Sequence, residues 1–257
     1  MNIEIEQAKC IRCGRCARVC PAGAIAMRQG VPEVVGLRKC IGCRHCYAAC
    51  PAGAIAIEGA PKALPPSPRV PVPADALADL FARRYSCREY RRAAVPSCKL
   101  DLLRRVLDAA PTGCNSRGCL YAILTTPEEV DAFRDAIYGR LDAMPAEAVK
   151  ANETLRAISI MRRRGADPIL RGAPALAVAA YRRDAPTGLV DSIIGLANFE
   201  VMAQALGLGT CWCGFIPMVR DAMWPGIASS FGFPDDYLLG YTMLFGEKEF
   251  DYARPTR

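Results

Sequence analysis

Histidine is almost missing from this 257-residue chain: His45 is the only one. A chain so poor in histidine has no Ser-His-Asp or Cys-His system beyond the neighbourhood of that residue, and no His/Glu helix motif offers a zinc or di-iron site. Long apolar runs are lacking as well. A membrane-spanning helix needs about 20 apolar residues, and the apolar stretch 173–181 is only strand-sized. No G-x-x-x-x-G-K-[ST] phosphate loop occurs. Gly207-Leu208-Gly209 is followed by Trp212 where a dinucleotide fingerprint would place its third glycine. No signal-peptide pattern precedes the first cysteine, so the chain is expected to be soluble and cytoplasmic. If the part of the chain beyond His45 is catalytic, an organic cofactor is expected to carry the chemistry.

Cysteine, by contrast, is abundant, at 14 residues. Eight of these fall in two matching runs, Cys10-x-x-Cys13-x-x-Cys16-x-x-x-Cys20-Pro21 and Cys40-x-x-Cys43-x-x-Cys46-x-x-x-Cys50-Pro51. This is the bacterial ferredoxin spacing for [4Fe–4S] clusters, in which the fourth cysteine ligates the other cluster. Cys10, Cys13, Cys16 and Cys50 are thus expected round one cluster, and Cys40, Cys43, Cys46 and Cys20 round a second. Structural zinc sites usually use two separated Cys-x-x-Cys pairs, and disulfides need an oxidising compartment. Neither fits three cysteines in strict succession. The repeat continues outside the ligands: residues 21–26 and 51–56 both read Pro-Ala-Gly-Ala-Ile-Ala. Two copies are too few for a solenoid and imply a pseudo-twofold unit. Ile11, Ile41, Ile25 and Ile55 are expected to shield the clusters, and His45 to lie near a cluster edge without ligating it.

The formal charge of +7 overstates the basicity of the loaded protein, because each cluster with four thiolates carries about −2. Arg162-Arg163-Arg164 reads as a solvated helix face, so neither nucleic acid nor membrane is expected as a partner.

Six prolines between residues 61 and 73 exclude a packed core there and favour an extended spacer able to reach roughly 40 Å at ~3.1 Å per residue. The chain therefore divides into a ferredoxin-type domain (1–60), a Pro-rich linker (61–73) and a larger domain (74–257). In the latter, apolar periodicity predicts helices over 74–84, 99–110 (with Ser97 as N-cap), from Pro127 through Ile137, over 146–163 and over 189–206. Strands are expected over 119–125, 173–181, 210–216 and 237–245. The 189–206 helix is apolar nearly all round and belongs deep in a core or in a dimer interface.

Four segments of the larger domain stand out: Arg84-Tyr85-Ser86-Cys87-Arg88-Glu89-Tyr90; Pro111-Thr112-Gly113-Cys114-Asn115-Ser116; residues 206–215, from Leu206-Gly207 to Cys213-Gly214-Phe215; and residues 239–247, followed by the basic tail Arg254-Pro255-Thr256-Arg257. In order and approximate spacing they resemble the flavin-binding segments of the nitroreductase family, over roughly residues 75–257. The whole chain resembles the subgroup with a fused two-cluster ferredoxin domain. The implied fold is α+β, a small ferredoxin-like domain followed by an FMN-binding α/β sandwich with a mixed, mainly antiparallel sheet.

Two arginines and a hydroxyl at alternate positions of an extended stretch can grip a phosphate. The resemblance assigns Arg84, Ser86 and Arg88, with neighbouring Tyr85, to the FMN phosphate and ribityl chain, with Arg254 or Arg257 closing over them. It sets Pro111, Thr112, Gly113 and Asn115 beside the isoalloxazine ring, and gives Cys213 and Gly214 the role of backbone donors near N5. A flavin phosphate would cancel up to about two more positive charges. It also implies a homodimer with FMN between subunits. No role is assigned to Cys87, Cys98, Cys114, Cys119, Cys211 or Cys213, and a third metal site or thiol pair at Cys211 and Cys213 is the less favoured reading beside plain apolar packing.

The function expected is an FMN-dependent oxidoreductase that passes electrons from two [4Fe–4S] clusters to FMN and on to a small organic acceptor: a nitroaromatic, a quinone or an activated alkene. The donor would be an electron-transfer protein such as a ferredoxin. An NAD(P)H-dependent reductase with the clusters as exit or store stays open. So do reductive dehalogenation, flavin breakdown, and a non-catalytic carrier or redox sensor.

Overall fold

The computed structural model describes residues 2–60 and 70–256. The expected linker at 61–73 lies outside the described residues except for its last four, and Arg257 lies outside them too. The chain divides into two compact units, Met1–Pro71 and Val72–Arg257.

The first unit contains β1 (Ile3–Ile5), α1 (Arg15–Arg18), β2 (Ile25–Arg28), β3 (Val31–Val34), α2 (His45–Ala49) and β4 (Ile55–Ile57). Its first and last strands pair antiparallel, Ile3 opposite Ile57, and β2 pairs with β3. Gln29 and Gly30 both take positive φ, as a two-residue hairpin loop between right-twisted strands demands. Ile3, Ile25, Ile55 and Ile57 are buried with Cys16 and Cys46. Ile25 and Ile55 take the inward positions expected of them. Ile11 does not: it is 65% exposed, because the loop that carries it joins no strand.

The second unit contains α3 (Ala74–Arg83), α4 (Ser97–Asp108), β5 (Cys119–Leu124), α5 (Pro127–Ala143), α6 (Ala146–Ala151), α7 (Glu153–Arg163), β6 (Ala175–Arg182), α8 (Gly188–Ala205), β7 (Leu208–Trp212), α9 (Phe215–Met223) and β8 (Tyr237–Glu247). The four strands form one sheet in the order β5-β6-β8-β7, antiparallel at each pairing. Alternation along β6 builds two cores. Leu176, Val178 and Ala180 face residues of α5, α7 and α9, among them Ile137, Ile158, Ile216 and Val219. Ala175, Ala177 and Ala179 face α4 and α8, where Leu103, Leu196 and Phe199 are fully buried. Alanines on that face let α8 lie close to the sheet. At Gly240 a Cβ would come within 2.8 Å of Ser192 Cβ, and the β6–β8 register slips there by one residue, a bulge at a point of close backbone approach.

Several expected boundaries move. Pro96, not Ser97, is the N-cap of α4; Ser97 already has helical geometry. The helix expected over 146–163 is two helices. Asn152 has extended backbone and its side chain accepts a hydrogen bond from the Leu155 N–H at 3.1 Å, so it caps α7 instead of continuing α6. The strand expected over 210–216 ends at Trp212, since Gly214 starts α9 and Ile216 is buried on that helix. The apolar helix is in the core along one side, but Leu189, Val190 and Ile193 near its start are 46%, 56% and 38% exposed.

Truncating Phe199, fully buried and edge-on to Phe245 at 5.0 Å, is expected to cost about 3–5 kcal/mol. Asn152→Ala should cost about 1 kcal/mol through the lost cap. Denaturant unfolding of the two variants checks both values and their order.

Candidate functional site

The eight repeat cysteines gather as two quartets, each drawn from both halves. One cavity is lined by Cys10, Cys13, Cys16 and Cys50, with Ile5, Ile55 and Pro32 around them. The other is lined by Cys20, Cys40, Cys43 and Cys46, with Ile3, Ile25 and Ile57. Local structure explains the arrangement. Left-handed residues at Arg12, Gly14, Gly42 and Arg44 curl each Cys-x-x-Cys-x-x-Cys loop about its cavity, and the helix that follows delivers the fourth cysteine to the other one. Backbone N–H groups of Arg12, Ala24, Gly42 and Ala54 donate to Cys10, Cys20, Cys40 and Cys50 Sγ at 3.2–3.5 Å, which suits thiolates. Among the described residues no three His, Cys, Asp or Glu side chains converge as they would on a single ion; each quartet encircles a space instead. Four spread thiols round an apolar-walled cavity fit a cubane cluster and not one tetrahedral ion. His45 lines the second cavity from an exposed position.

In the second unit, residues 84–90 run along the outer edge of β7. Ser86 bridges Thr210 in parallel, and the Cys87 N–H donates to Thr210 O at 2.8 Å. Cys87 is turned inward and 2% exposed, which leaves Ser86 and Arg88 on the opposite side. The Arg84 guanidinium meets Glu200 at 3.3 Å. That carboxylate also accepts from Thr210 Oγ1 at 3.1 Å and from Trp212 Nε1 at 3.0 Å, and Gln204 donates to Thr210 Oγ1 at 2.8 Å. Glu200 is thus a nearly buried anion that aims Arg84. Arg88 is exposed and forms no ion pair among the described residues. A third cation joins them from the loop before β6. Asp167 accepts from the Leu170 and Gly172 N–H groups and from Tyr138 OH, and between those amides stands Arg171 in left-handed conformation, φ 54°. Burial pushes the Cys211 thiol up, and the charges of Arg171, Arg88 and Arg84 act against that rise. All three arginines lie near enough to Cys211 for their charges to act on it, a setting suited to an anionic group.

The loop 111–117 follows α4 and is pinned to the start of α8. Asp191, 3% exposed, accepts from the Gly113 N–H at 3.0 Å and from Thr187 Oγ1 at 2.9 Å. A Cβ on Gly113 would lie 2.0 Å from that hydroxyl, so only glycine fits. Cys114, Asn115 and Arg117 all have positive φ, a strained conformation typical of functional loops. Thr112 accepts from the Arg117 N–H at 3.0 Å. Two buried oxygens here, Ser116 Oγ and Asp191 Oδ2, have no hydrogen-bond partner. Pro111 begins the loop and is exposed.

At the end of β7 the Cys213 N–H is already committed to Thr242 O at 3.0 Å. Gly214 is the N-cap of α9, and its own N–H donates to no atom among the described residues. Cys213 Sγ donates to Ile169 O at 3.3 Å, and burial holds its thiol at about 11. Cys119, half-buried beside Asp191, is likewise pushed up to about 11. These are protonated, packing thiols. Tyr85 is engaged by the C-terminal tail: its ring stacks on Tyr252 at 3.6 Å and its OH donates to Phe250 O. Arg254 lines a groove with Arg83, Tyr85 and Lys248.

Sequence reading overlooked Glu200, Asp191 and Arg171. A signal existed for the first two, because they are the only charged residues in the otherwise apolar α8. Arg171 carried none; its place depends on the Asp167 turn.

Residues 81–247 match the nitroreductase family, and residues 2–60 match the 4Fe-4S dicluster domain. No curated protein matches the chain. Among solved structures, the chain is similar to a nitroreductase with bound FMN from Desulfitobacterium hafniense DCB-2, at 21% identity and a TM-score of 0.56, over 70% of this chain and 92% of that one. A nitroreductase with bound FMN from Bacteroides fragilis NCTC 9343 aligns at 18% identity and a TM-score of 0.54, over 70% and 94%. An FMN-dependent nitroreductase from Clostridium difficile R20291 aligns at 16% identity with the same score and coverage. At these identities the structures speak for the fold, while the family match spans well over half the sequence. The chain belongs to the nitroreductase family of flavin-dependent oxidoreductases, with a 4Fe-4S ferredoxin-like domain at its N-terminal end.

Proposed function

We infer that this protein passes electrons from two [4Fe–4S] clusters to FMN and on to a small organic acceptor of the nitroaromatic, quinone or activated-alkene type. The observation that carries the reading is the pair of complete cysteine quartets, each round its own cavity, in one chain with a flavin-type domain. The clusters would supply one-electron transfer at low potential, and FMN the conversion to two-electron chemistry. A covalent electron-input module makes a donor protein the natural source, in place of NAD(P)H.

The chain's own residues fit FMN. Arg84, Ser86 and Arg88 would bind the phosphate, with Arg171 adding a third cation and Glu200 keeping Arg84 in place. The tail arginines, Arg254 or Arg257, would add to this set. Pro111, Thr112, Gly113 and Asn115 would border the ring; the unpaired Ser116 Oγ and Asp191 Oδ2 are the sort of buried oxygens that a polar ligand satisfies. With Cys213 N–H spent on Thr242, Gly214 N–H at the start of α9 is the better placed donor to the ring, at the positive end of a helix. The exposed apolar start of α8, at Leu189, Val190 and Ile193, together with Leu120, supports a homodimer. Residues 61–73 would link two modules. No helix among the described residues is long and apolar enough to cross a membrane, which accords with a cytoplasmic enzyme.

Protein purified without oxygen should contain iron near about eight per chain and flavin bands over the broad cluster absorbance; careful purification without flavin would sink the reading. Cys43→Ser should lower iron and abolish donor-driven turnover while FMN stays bound. Arg88→Ala should raise the FMN dissociation constant about tenfold or more, through a lost charged hydrogen bond of about 1.5–3 kcal/mol, with iron content unchanged. If NADPH bleaches the flavin within a turnover and a reduced donor protein does not, the assigned direction of electron flow is wrong.

A further inference from the structure

The two halves of the ferredoxin-like unit match in their ligands and differ in what surrounds them. At a 30-residue offset Arg12 corresponds to Gly42, Arg15 to His45 and Arg18 to Ala48. Three arginines, each two places after a ligand of the first run, thus have no cationic counterpart in the second. All three are exposed, and none forms an ion pair among the described residues. Arg12 keeps a left-handed backbone, φ 56°, where the other half has glycine at φ 67°, so an arginine stands there despite its conformational cost. At the next such position the reverse holds: Gly14 faces Arg44 in the repeat, and Arg44 is tied back to Gly59 O at 2.6 Å.

Exposure follows the same asymmetry. Cys13 is exposed, whereas its counterpart Cys43 is partly covered. Ile11 beside it is 65% exposed, and Ile41 is not among the exposed apolar residues. The first quartet therefore reaches the surface through a thiol with an apolar neighbour, Arg15 lines its cavity, and Arg12 and Arg18 are exposed on the same short segment. An apolar centre within a charged rim is the layout of a docking surface for a protein partner.

We propose that the quartet Cys10, Cys13, Cys16 and Cys50 is the entry point for electrons, and that Arg12, Arg15 and Arg18 dock an acidic one-electron carrier protein over Cys13. The proposal rests on the reading above that electrons enter through the clusters. One electron leaves the carrier and one enters the site; no bond breaks and no proton moves. Exposed arginines call for a partner of opposite charge. Residues 1–60 hold eight of the 33 Lys and Arg and four of the 26 Asp and Glu, so the rest of the chain is net basic as well. Rim charges of this kind act on association rate and its salt dependence more than on residence time.

The test uses the full-length holoprotein and a reduced acidic [2Fe–2S] ferredoxin as probe, with bleaching of the [4Fe–4S] absorbance followed by stopped flow. For the wild type the second-order rate should fall steeply as ionic strength rises. The triple variant Arg12→Gln, Arg15→Gln, Arg18→Gln should lose about tenfold or more at low salt, together with most of the salt dependence. Arg12→Gly, which copies the residue of the other half, should lose part of it. Arg38→Gln with Lys39→Gln, on the other side of the domain's sequence repeat, should change little. Iron per chain is measured on each variant, and Arg12→Gly serves if the triple variant fails to hold its clusters. Reduced methyl viologen, a cation that gains nothing from a basic collar, should bleach every variant at least as fast as the wild type. Equal losses with both reductants would mean that the arginines act on the clusters' potential, and equal losses for the Arg38/Lys39 pair would mean that the whole domain's charge matters. Either result overturns the docking site. Because only cluster bleaching is scored, failure here is separable from failure of onward transfer to FMN, which flavin bleaching reports.

Discussion

The close approach of α8 to the alanine face of β6 is the constraint on which the larger domain depends. Ala175, Ala177 and Ala179 give α8 room on β6, while Gly195 clears Tyr121 of β5 and the bulge at Gly240 of β8 clears Ser192. Dense apolar packing holds the helix in place. Two acids on the same helix, Asp191 and Glu200, are carried with it. They stand nine residues apart, about 14 Å along the axis at the rise of an α-helix. One pins the strained loop at Gly113 and the other orients Arg84. A carboxylate held by an otherwise greasy helix cannot wander, so the polar groups it positions inherit the rigidity of the core.

The same logic runs through the smaller domain with different materials. Its core is slight, with Ile3, Ile25, Ile55 and Ile57 as the principal apolar residues, and so few cannot order 60 residues unaided. The thiolate ligation proposed above would supply the missing order. The left-handed turns at Arg12, Gly14, Gly42 and Arg44 make sense only as the curl of a loop about something bulky. Backbone N–H groups aimed at sulfur lower the cost of concentrating negative charge there.

How much of this was legible depended on the range of the interaction. Ligand spacing in Cys10–Cys20 is local, since each loop wraps its own cavity, and even the exchange of the fourth ligand is encoded in the proline-flanked run. The helical stripe of α5 was equally plain because its burial follows a single period. The break at Asn152 was missed because a capping side chain competes with helix continuation at a position whose neighbours favour helix. The end of β7 was missed for a related reason, since apolar residues at 215 and 216 suit strand and buried helix alike. Glu200 and Arg84 are 116 residues apart, and no local pattern links them. Arg171 depends on a turn built round Asp167, and Ile11 on the absence of a covering strand. Tertiary placement decided each of these.

The exchange of fourth ligands has a hereditary side. In most tandem repeats a lesion in one copy is borne by that copy, and the other is free to drift. Here Cys20 lines the cavity that the second half otherwise owns, and Cys50 lines the first, so under the proposed ligation a substitution at either would damage the other half's site. The ligands are held in common while the surroundings remain free to diverge, and the arginines of one half against the glycine, histidine and alanine of the other show where that freedom was used.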